Sequence, residues 1–301
     1  MIKLALVGKG AWGKNYISTI NSLSFCKLPK DYIRTFDYKE LFPHKDIDGV
    51  IISSPTSTHF KIAKEFLEKG FNVLVEKPIT ANYEETQELF KIANDTREIL
   101  EVGHIYLYNP AYLKIKKIIS QLGDIKYISS QRMDYGPVRQ DISSLWDWAP
   151  HDISMSIDLF GELPKSVSAY GANFLQPNTP FYDMCYIRLE FSNNKLVFIN
   201  VGWLSPLKKR EMVIVGEDKA IIFDDAASKK ITYLENLKGD RRIKYPSFSK
   251  KSPLELEISN FVRLIKKDKS RKNSEMGLNV VKVISACEKS IRQNGKSVYI
   301  D

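Results

Sequence analysis

The chain has 301 residues, of which 43% are hydrophobic and 27% are charged, and its formal net charge is +9. This length predicts about two domains with sizeable cores, and the composition is that of a soluble globular protein. No apolar run approaches the roughly 18–20 residues that cross a bilayer, and no cleavable signal precedes the first predicted strand, so we expect a cytoplasmic protein without membrane contacts.

Cysteines and basic clusters indicate no special site. Cys26, Cys185 and Cys287 are scattered and lack CxxC spacing, so we expect reduced thiols and no metal site. The positive excess lies in residues 104–301, with clusters at 208–210, 238–244 and 266–272. Acids interrupt these clusters and base-stacking aromatics are missing, so we interpret them as solvated surface and expect no nucleic-acid partner. A positive field of this kind would also attract a negatively charged small substrate.

The first predicted strand, Leu4–Val7, ends in glycines with the spacing G-x-G-x-x-G, at Gly8, Gly10 and Gly13. A predicted helix, Trp12–Leu23, follows at once. In this context the spacing predicts a dinucleotide-binding loop, because Gly8 permits the tight turn, Gly10 lets the backbone approach a pyrophosphate, and Gly13 allows close helix packing. The phosphates would lie at the helix N-terminus. An ordinary glycine-rich turn is the alternative that the spacing leaves open.

The elements after the glycine loop do not decide between NAD and NADP as the cofactor. The predicted second strand, Ser24–Leu28, ends without the acid that binds adenosine ribose hydroxyls, and the helix expected after it is missing. Asp37 is interpreted as the N-cap of a short helix. Lys27 and Lys30 are candidates for contact with the 2′-phosphate of NADP, so the choice between NAD and NADP stays open.

Strands and helices then alternate. The predicted strands are 50–53, 72–75 and 99–102, and the predicted helices are 60–69 and 83–95. This order predicts a parallel, doubly wound Rossmann domain over residues 1–105, with its ligand beyond the carboxyl ends of the strands. Segments 54–56 and 76–78 directly follow strands, so we expect them to meet the glycine loop in one crevice.

The pattern changes after His104, and residues 106–301 predict an α+β domain with a mostly antiparallel sheet. Its predicted helices are 110–121, 151–160, 253–267 and 275–293. Its predicted strands are 125–133, 166–170, 184–191, 196–203, 211–215 and 220–223. The sheet could carry substrate contacts or a subunit interface.

Two groups of residues could perform chemistry. Lys77 follows a predicted strand, and Pro78 restricts its backbone, which would aim the ammonium into the crevice. Asp147 and His151 are four positions apart, so they share a face if the helix has already begun, and a carboxylate beside an imidazole suits a general base. The alternatives are a surface lysine, a helix-capping Asp147, and a His151 that satisfies backbone groups.

The ordered set of motifs resembles the Gfo/Idh/MocA family of oxidoreductases along the whole chain. The motifs are the Gly8–Gly13 loop, Ser54-Pro55-Thr56-x-x-His59, Val75-Glu76-Lys77-Pro78, Tyr108-Asn109-Pro110-Ala111 and Asp147-x-x-x-His151-Asp152. The resemblance implies a Rossmann domain joined to an open-faced sheet domain, NAD or NADP as cofactor, and a homodimer or homotetramer. It also implies a sugar, cyclitol or nucleotide sugar as the small-molecule substrate.

The resemblance further implies roles for individual residues. Lys77 would polarise the reacting oxygen, His151 would exchange the proton, and Asp147 would lie in the site. The residues expected to bind cofactor are Gly8, Gly10, Ala11, Trp12, Gly13, Ser54, Pro55, Thr56, His59, Glu76 and Lys77. The residues expected to bind substrate are Lys77, Tyr108, Arg132, Tyr135, Arg139 and His151. A cis Lys77–Pro78 bond is implied as well.

We therefore predict an NAD(P)-dependent dehydrogenase or reductase that transfers a hydride between nicotinamide and a hydroxyl or keto carbon of a sugar or nucleotide sugar. The alternative is a catalytically silent binding or regulatory protein on the same scaffold. The short second strand–helix unit favours this alternative, and the joint presence of Lys77, Asp147 and His151 opposes it. A nucleic-acid-binding module is a third hypothesis, which predicts steeply salt-dependent binding.

Overall fold

The computed structural model describes residues 1–266 and 274–300. The helices are α1 (Ala11–Asn21), α2 (Thr56–Glu68), α3 (Tyr83–Thr96), α4 (Pro110–Ile118), α5 (Ser144–Phe160), α6 (Pro253–Lys266) and α7 (Met276–Arg292). The strands are β1 (Ile2–Val7), β2 (Cys26–Lys27), β3 (Ile33–Arg34), β4 (Gly49–Ile52), β5 (Asn72–Glu76), β6 (Leu100–Gly103), β7 (Tyr127–Tyr135), β8 (Ser166–Ala172), β9 (Met184–Glu190), β10 (Leu196–Gly202), β11 (Leu204–Val215), β12 (Lys219–Asp224), β13 (Ile231–Glu235), β14 (Arg242–Lys244) and β15 (Val298–Tyr299). Most of the basic cluster at 266–272, and the last residue of the predicted helix 253–267, lie outside the described residues.

The first compact unit contains a parallel sheet with strand order β2-β1-β4-β5-β6, and β3 also pairs with β1. All residues of β4 and β5 are buried. Continuous apolar strands are typical of parallel sheets that helices cover on both faces. The predicted Rossmann fold is confirmed, and the carboxyl ends of these strands share one edge of the sheet.

The two compact units do not follow the predicted domains 1–105 and 106–301. The first unit comprises Met1–Tyr108 and Lys251–Val281, and the second comprises Asn109–Lys250 and Lys282–Asp301. Helix α6 explains the difference, because its side chains Ile258 and Phe261 pack in one core with Leu4 and Tyr16. Helical periodicity in the sequence predicts that α6 has an apolar face, and it carries no information on which sheet that face covers.

The edge of the sheet beside β1 is built from two short strands. Residues of β2 pair with Ile2 and Lys3, whereas residues of β3 pair with Leu6 and Val7. A 3-10 turn at Lys30–Tyr32 separates them. No α-helix stands between β2 and β4 in this fully described stretch, as the sequence predicted. The predicted strand 24–28 is present but shorter, as Cys26–Lys27, and pairing with β1 resumes at β3.

The second unit contains a sheet with strand order β14-β13-β12-β11-β7-β10-β9-β8-β15. Strands β7 and β10 are parallel and the other pairs are antiparallel, so the predicted mostly antiparallel sheet is confirmed. Helix α5 packs against β7, β9 and β10. The sequence prediction missed β13, β14 and β15, which are short strands towards the two edges.

Helix α5 begins at Ser144, seven residues before the predicted start at His151. The predicted start directly followed Pro150. Pro150 instead lies inside α5, where its missing N–H leaves the Trp146 carbonyl without its usual partner four residues on. Residues Ser144–Ile157 are all buried, and this packing compensates for the interruption.

None of the helices in the described ranges combines the length and apolar character needed to cross a membrane.

Candidate active site

The glycine loop joins β1 to α1 with a geometry that suits a dinucleotide. Gly8 has φ +110°, and a Cβ at this position would lie 2.5 Å from the Ser53 carbonyl carbon, so only glycine fits. A Cβ on Gly10 would meet nothing within 4 Å, which means that open space lies beside this backbone. Helix α1 starts at Ala11, so its first N–H groups border that space. These features fit a pyrophosphate at the helix N-terminus.

The segments after β4 and β5 are tied together by a buried histidine. One His59 ring nitrogen, Nδ1, lies 2.9 Å from the Pro78 carbonyl oxygen, and the other, Nε2, lies 2.8 Å from the Ser54 carbonyl oxygen. Pro55 occupies the N-cap position of α2, and Thr56 starts that helix. His59 therefore fixes the spacing between two of the loops predicted to hold the cofactor.

Glu76 is the anchor that links the end of β5 to the glycine-loop helix. Its carboxylate accepts hydrogen bonds from Trp12 Nε1, from the Tyr16 hydroxyl at 2.7 Å, and from the backbone N–H of Lys77 at 3.1 Å. It is 9% exposed, and burial raises the pKa of this carboxyl. Sequence reasoning assigned Glu76 and Trp12 to the cofactor directly; the contacts give Glu76 a positioning role, whereas Trp12 remains 38% exposed.

A second buried carboxyl, Glu257 of α6, completes this cluster. Its Oε1 lies 2.9 Å from the Tyr16 hydroxyl, which already contacts Glu76. A hydroxyl has one hydrogen to donate, so the second contact requires a proton on a carboxyl. Burial and the nearby Glu76 raise the pKa of Glu257 well above its usual value, which assigns that proton to Glu257. Nothing in the sequence pattern of α6 predicts this contact.

Lys77 follows Glu76 directly, and the Lys77–Pro78 peptide bond is cis, as the resemblance implied. His104, directly after β6, is a candidate site residue that the sequence analysis did not assign. It is 4% exposed, and neither ring nitrogen has a hydrogen-bond partner among the described residues. Burial, together with the positive charge of Lys77, lowers its pKa to about 4, so the ring is neutral. Its position after a strand end, like that of Lys77, was the available signal.

In the second unit, α5 carries Asp147 and His151 one helical turn apart, and each is 8% exposed. The spacing i, i+4 puts both side chains on one face of the helix. Asp147 does not cap the helix, because Ser143 occupies the N-cap position. The capping alternative for Asp147 is therefore wrong.

Arg139 lies beside this pair within the second unit. Its Nη1 is 3.4 Å from Asp147, and its Nη2 is 2.6 Å from Asp141. The nearby loop residue Tyr135 is 70% exposed. Tyr135 is exposed and the Arg139 side chain is 31% exposed, and their roles as substrate contacts stay predictions.

Two other predicted substrate contacts, Arg132 and Tyr108, have polar partners within the protein. Arg132 is 3% exposed, and its guanidinium binds Asp152 through Nε at 2.7 Å and Nη2 at 3.1 Å, a contact that ties α5 to β7. The Tyr108 hydroxyl donates to Glu101 at 2.7 Å and accepts from Asn260 at 2.9 Å within the first unit. Sequence position did not reveal these internal partners, and the substrate contacts of Arg132 and Tyr108 stay predictions.

Comparison with known proteins places this geometry in a family. The oxidoreductase family with an NAD-binding Rossmann fold, GFO/IDH/MocA, matches residues 26–104, and the GFO/IDH/MocA C-terminal domain matches residues 112–222. The chain thus belongs to the Gfo/Idh/MocA family of oxidoreductases, and its first unit is an NAD-binding Rossmann domain. The glycine loop precedes the first match, so its assignment rests on the geometry above.

Some relatives of this chain are named as dehydrogenases of a nucleotide sugar or a cyclitol. The UDP-N-acetylglucosamine 3-dehydrogenase of Acidithiobacillus ferrooxidans is 32% identical over 58% of this chain and 54% of its own. The scyllo-inositol 2-dehydrogenase (NADP(+)) of Bacillus subtilis is 24% identical over 73% of this chain and 68% of its own. The chain therefore spans about half to two thirds of the length of such curated relatives. An inositol dehydrogenase homolog from Azotobacter vinelandii, solved with NADH and myo-inositol, shares the fold with a TM-score of 0.84, at 17% identity and coverage of 99% and 97%.

Proposed function

We propose that the protein is an NAD(P)-dependent dehydrogenase or reductase that acts on a CH–OH carbon of a sugar or nucleotide sugar. The observation that carries this proposal is the link between Lys77 and the glycine-loop helix. Glu76 binds Trp12 and Tyr16 of α1 and also the backbone N–H of Lys77. Because this contact fixes the backbone of Lys77 next to the glycine-loop helix, we place its ammonium group beside a bound nicotinamide in this proposal.

Each residue has a defined task in this proposal. Lys77 donates a hydrogen bond to the reacting oxygen and stabilises negative charge that develops there. His151 takes the hydroxyl proton during oxidation and returns it during reduction, and Asp147 on the same helix face favours the protonated imidazole. The nicotinamide cofactor, when bound, accepts or supplies the hydride.

The substrate class is proposed from the relatives and from one charged group. Relatives named for UDP-N-acetylglucosamine and scyllo-inositol support a polyhydroxylated ring. Arg139, beside Asp147, offers a guanidinium that can bind a phosphate or carboxylate in a two-point contact. A nucleotide sugar satisfies both features.

Substitutions at Lys77 and His151 test the mechanism. Lys77→Ala and His151→Ala should each lower kcat by ~10²-fold or more in a nicotinamide-absorbance assay with UDP-sugars and inositols. Lys61→Ala removes an exposed lysine of α2 and should leave turnover unchanged. Near-normal kcat in both site variants would contradict the mechanism.

A catalytically silent binding or regulatory protein is the second candidate. The specific observation in its favour is the missing helix between β2 and β4, a part of the usual dinucleotide fold. Purified protein that binds neither NADH nor NADPH would favour this candidate over the enzyme.

A further inference from the structure

Because the edge of the parallel sheet is interrupted, the residue beside the glycine loop differs from the one found there in the usual dinucleotide fold. A dinucleotide fold places an acid at the end of its second strand, where it binds the ribose 2′-hydroxyl. Here the strand beside the end of β1 is β3, and Arg34 pairs with Val7. The Gly8 N–H donates to the Arg34 carbonyl oxygen at 2.9 Å. A cation therefore occupies the position next to the first glycine where that fold has an acid.

Lys27 and Lys30, the sequence candidates for contact with the 2′-phosphate, lie further from the glycine loop than Arg34 does. Lys27 pairs with Lys3 near the start of β1. Four residues of strand separate Lys3 from Val7, which is about 13 Å at the usual rise per residue. Lys30 follows in the turn that precedes β3. The ribose end of a cofactor on the glycine loop would meet Arg34 before either lysine.

The Arg34 guanidinium is available for a stronger anionic partner. Its Nε donates to Glu40 at 2.9 Å and its Nη1 donates to the Ile33 carbonyl oxygen at 3.2 Å. Nη2 has no hydrogen-bond partner within the described part of the chain. The Glu40 side chain is 62% exposed, and exposed ion pairs contribute little stability. A phosphate with close to two negative charges can replace Glu40 as the preferred partner.

An exposed aromatic ring lies two residues further on. Phe36 is 85% exposed, the highest exposure among the large hydrophobic side chains of the described residues. An apolar ring in water gains free energy when a flat partner covers it, and aromatic side chains stack on nucleobases of any sequence. The loop after β3 thus presents an arginine for a phosphate and a ring for a base.

We infer that Arg34 and Phe36 form a subsite for adenosine 2′-phosphate, so that this chain binds NADPH in preference to NADH. The inference rests on the proposed function for the presence of a nicotinamide cofactor. In this subsite Arg34 binds the 2′-phosphate and Phe36 covers the adenine. The short strand β3 takes over the position that a complete second strand holds in other dinucleotide folds.

Binding measurements separate the two residues. Nicotinamide fluorescence titrations should give an NADPH affinity at least about tenfold tighter than that of NADH. Arg34→Gln should remove this difference by weakening NADPH alone, and Arg34→Lys should retain part of it. Phe36→Ala should weaken both cofactors equally, by about fivefold or more. Lys27→Gln, a matched loss of charge on the same sheet edge, should change neither affinity.

A competition experiment on the unaltered protein adds an independent readout. Adenosine 2′,5′-bisphosphate should displace NADPH at lower concentration than ADP does, and Arg34→Gln should abolish that advantage. Thermal unfolding of each variant verifies that it is folded. Tighter binding of NADH, or equal losses of both cofactors in Arg34→Gln, would overturn the subsite and leave the proposed function intact. Failure of folded protein to bind either cofactor would overturn both.

Discussion

The imidazole of His104 is buried with neither ring nitrogen hydrogen-bonded among the described residues. Such a polar group lowers stability by about 1–3 kcal/mol compared with an apolar group of the same shape. Replacement of His104 by Phe should therefore raise the free energy of unfolding at pH 7 by an amount in that range. Because the charge of Lys77 acts on this imidazole, the same change should reduce turnover while it stabilises the fold.

The stability gain from His104→Phe should grow as the pH falls. The pKa of His104 is about 4 in the folded protein and near 6.5 in the unfolded chain, so below pH 6.5 protons bind preferentially to the unfolded state. Wild type should lose about 2 kcal/mol from this group by pH 5, and the Phe variant should not. Urea unfolding at pH 7 and pH 5 measures the difference. A variant less stable than wild type at pH 5 would contradict the neutral, unpaired imidazole.

The raised pKa of Glu257 predicts that stability falls as the pH rises, which is the opposite of the dependence expected from His104. Its folded pKa is raised by burial and by Glu76, so above its ordinary pKa the unfolded chain loses this proton while the folded protein keeps it. Stability should consequently fall as the pH rises above that value. Glu257→Gln keeps a neutral donor for Tyr16 and should be at least as stable as wild type at pH 8. The gap should narrow towards pH 5, as measured by thermal unfolding; a gap that widens would show that Glu257 is ionised.

At the level of the secondary-structure elements, helix α6 connects a distant part of the sequence to the Rossmann core. Phe261 is fully buried in the cluster that contains Leu4, Tyr16 and Ile258. Phe261→Ala should lower the free energy of unfolding by about 3–5 kcal/mol. Phe248→Ala removes a ring that is 37% exposed and should cost less than about 1.5 kcal/mol. Urea unfolding of both variants checks the assignment, and equal losses would argue that α6 does not belong to this core.

The sequence allowed prediction of elements whose signals are local. The apolar run of β1 and the glycine spacing predicted the cofactor loop, and the i, i+4 spacing put Asp147 and His151 on one helix face. Register and long-range pairing are not encoded locally. Arg34 acquires its position because β3 pairs with Val7, and Arg132 is internal because Asp152 of α5 meets β7. Both depend on contacts between segments that the sequence pattern treats separately.

For the molecule as a whole, the sheet of the second unit has one face that remains accessible. Residues Tyr127, Tyr170, Tyr186 and Phe198 on this face are 39–61% exposed. Tyr170 of β8 pairs with Tyr186 of β9, and Asn200 of β10 pairs with Tyr186 from the opposite edge of β9. The aromatic side chains therefore lie on adjacent strands. Helix α5 contacts the same strands through their buried, alternating residues. Exposed aromatic patches of this kind mark interaction surfaces.

We expect this face to bind a second copy of the chain, which would give the homodimer or homotetramer that the resemblance implies. Tyrosine and phenylalanine supply the large contact areas on which protein interfaces depend, and a sheet face can pair with itself about a two-fold axis. Tyr186→Glu would put a charge at the centre of the contact and should lower the mass measured by sedimentation velocity towards 34.6 kDa. Phe174→Glu changes an aromatic residue outside the strands that is 64% exposed, compared with 57% for Tyr186, and should leave the mass unaltered. A wild-type mass of 34.6 kDa at micromolar concentration would contradict the interface directly.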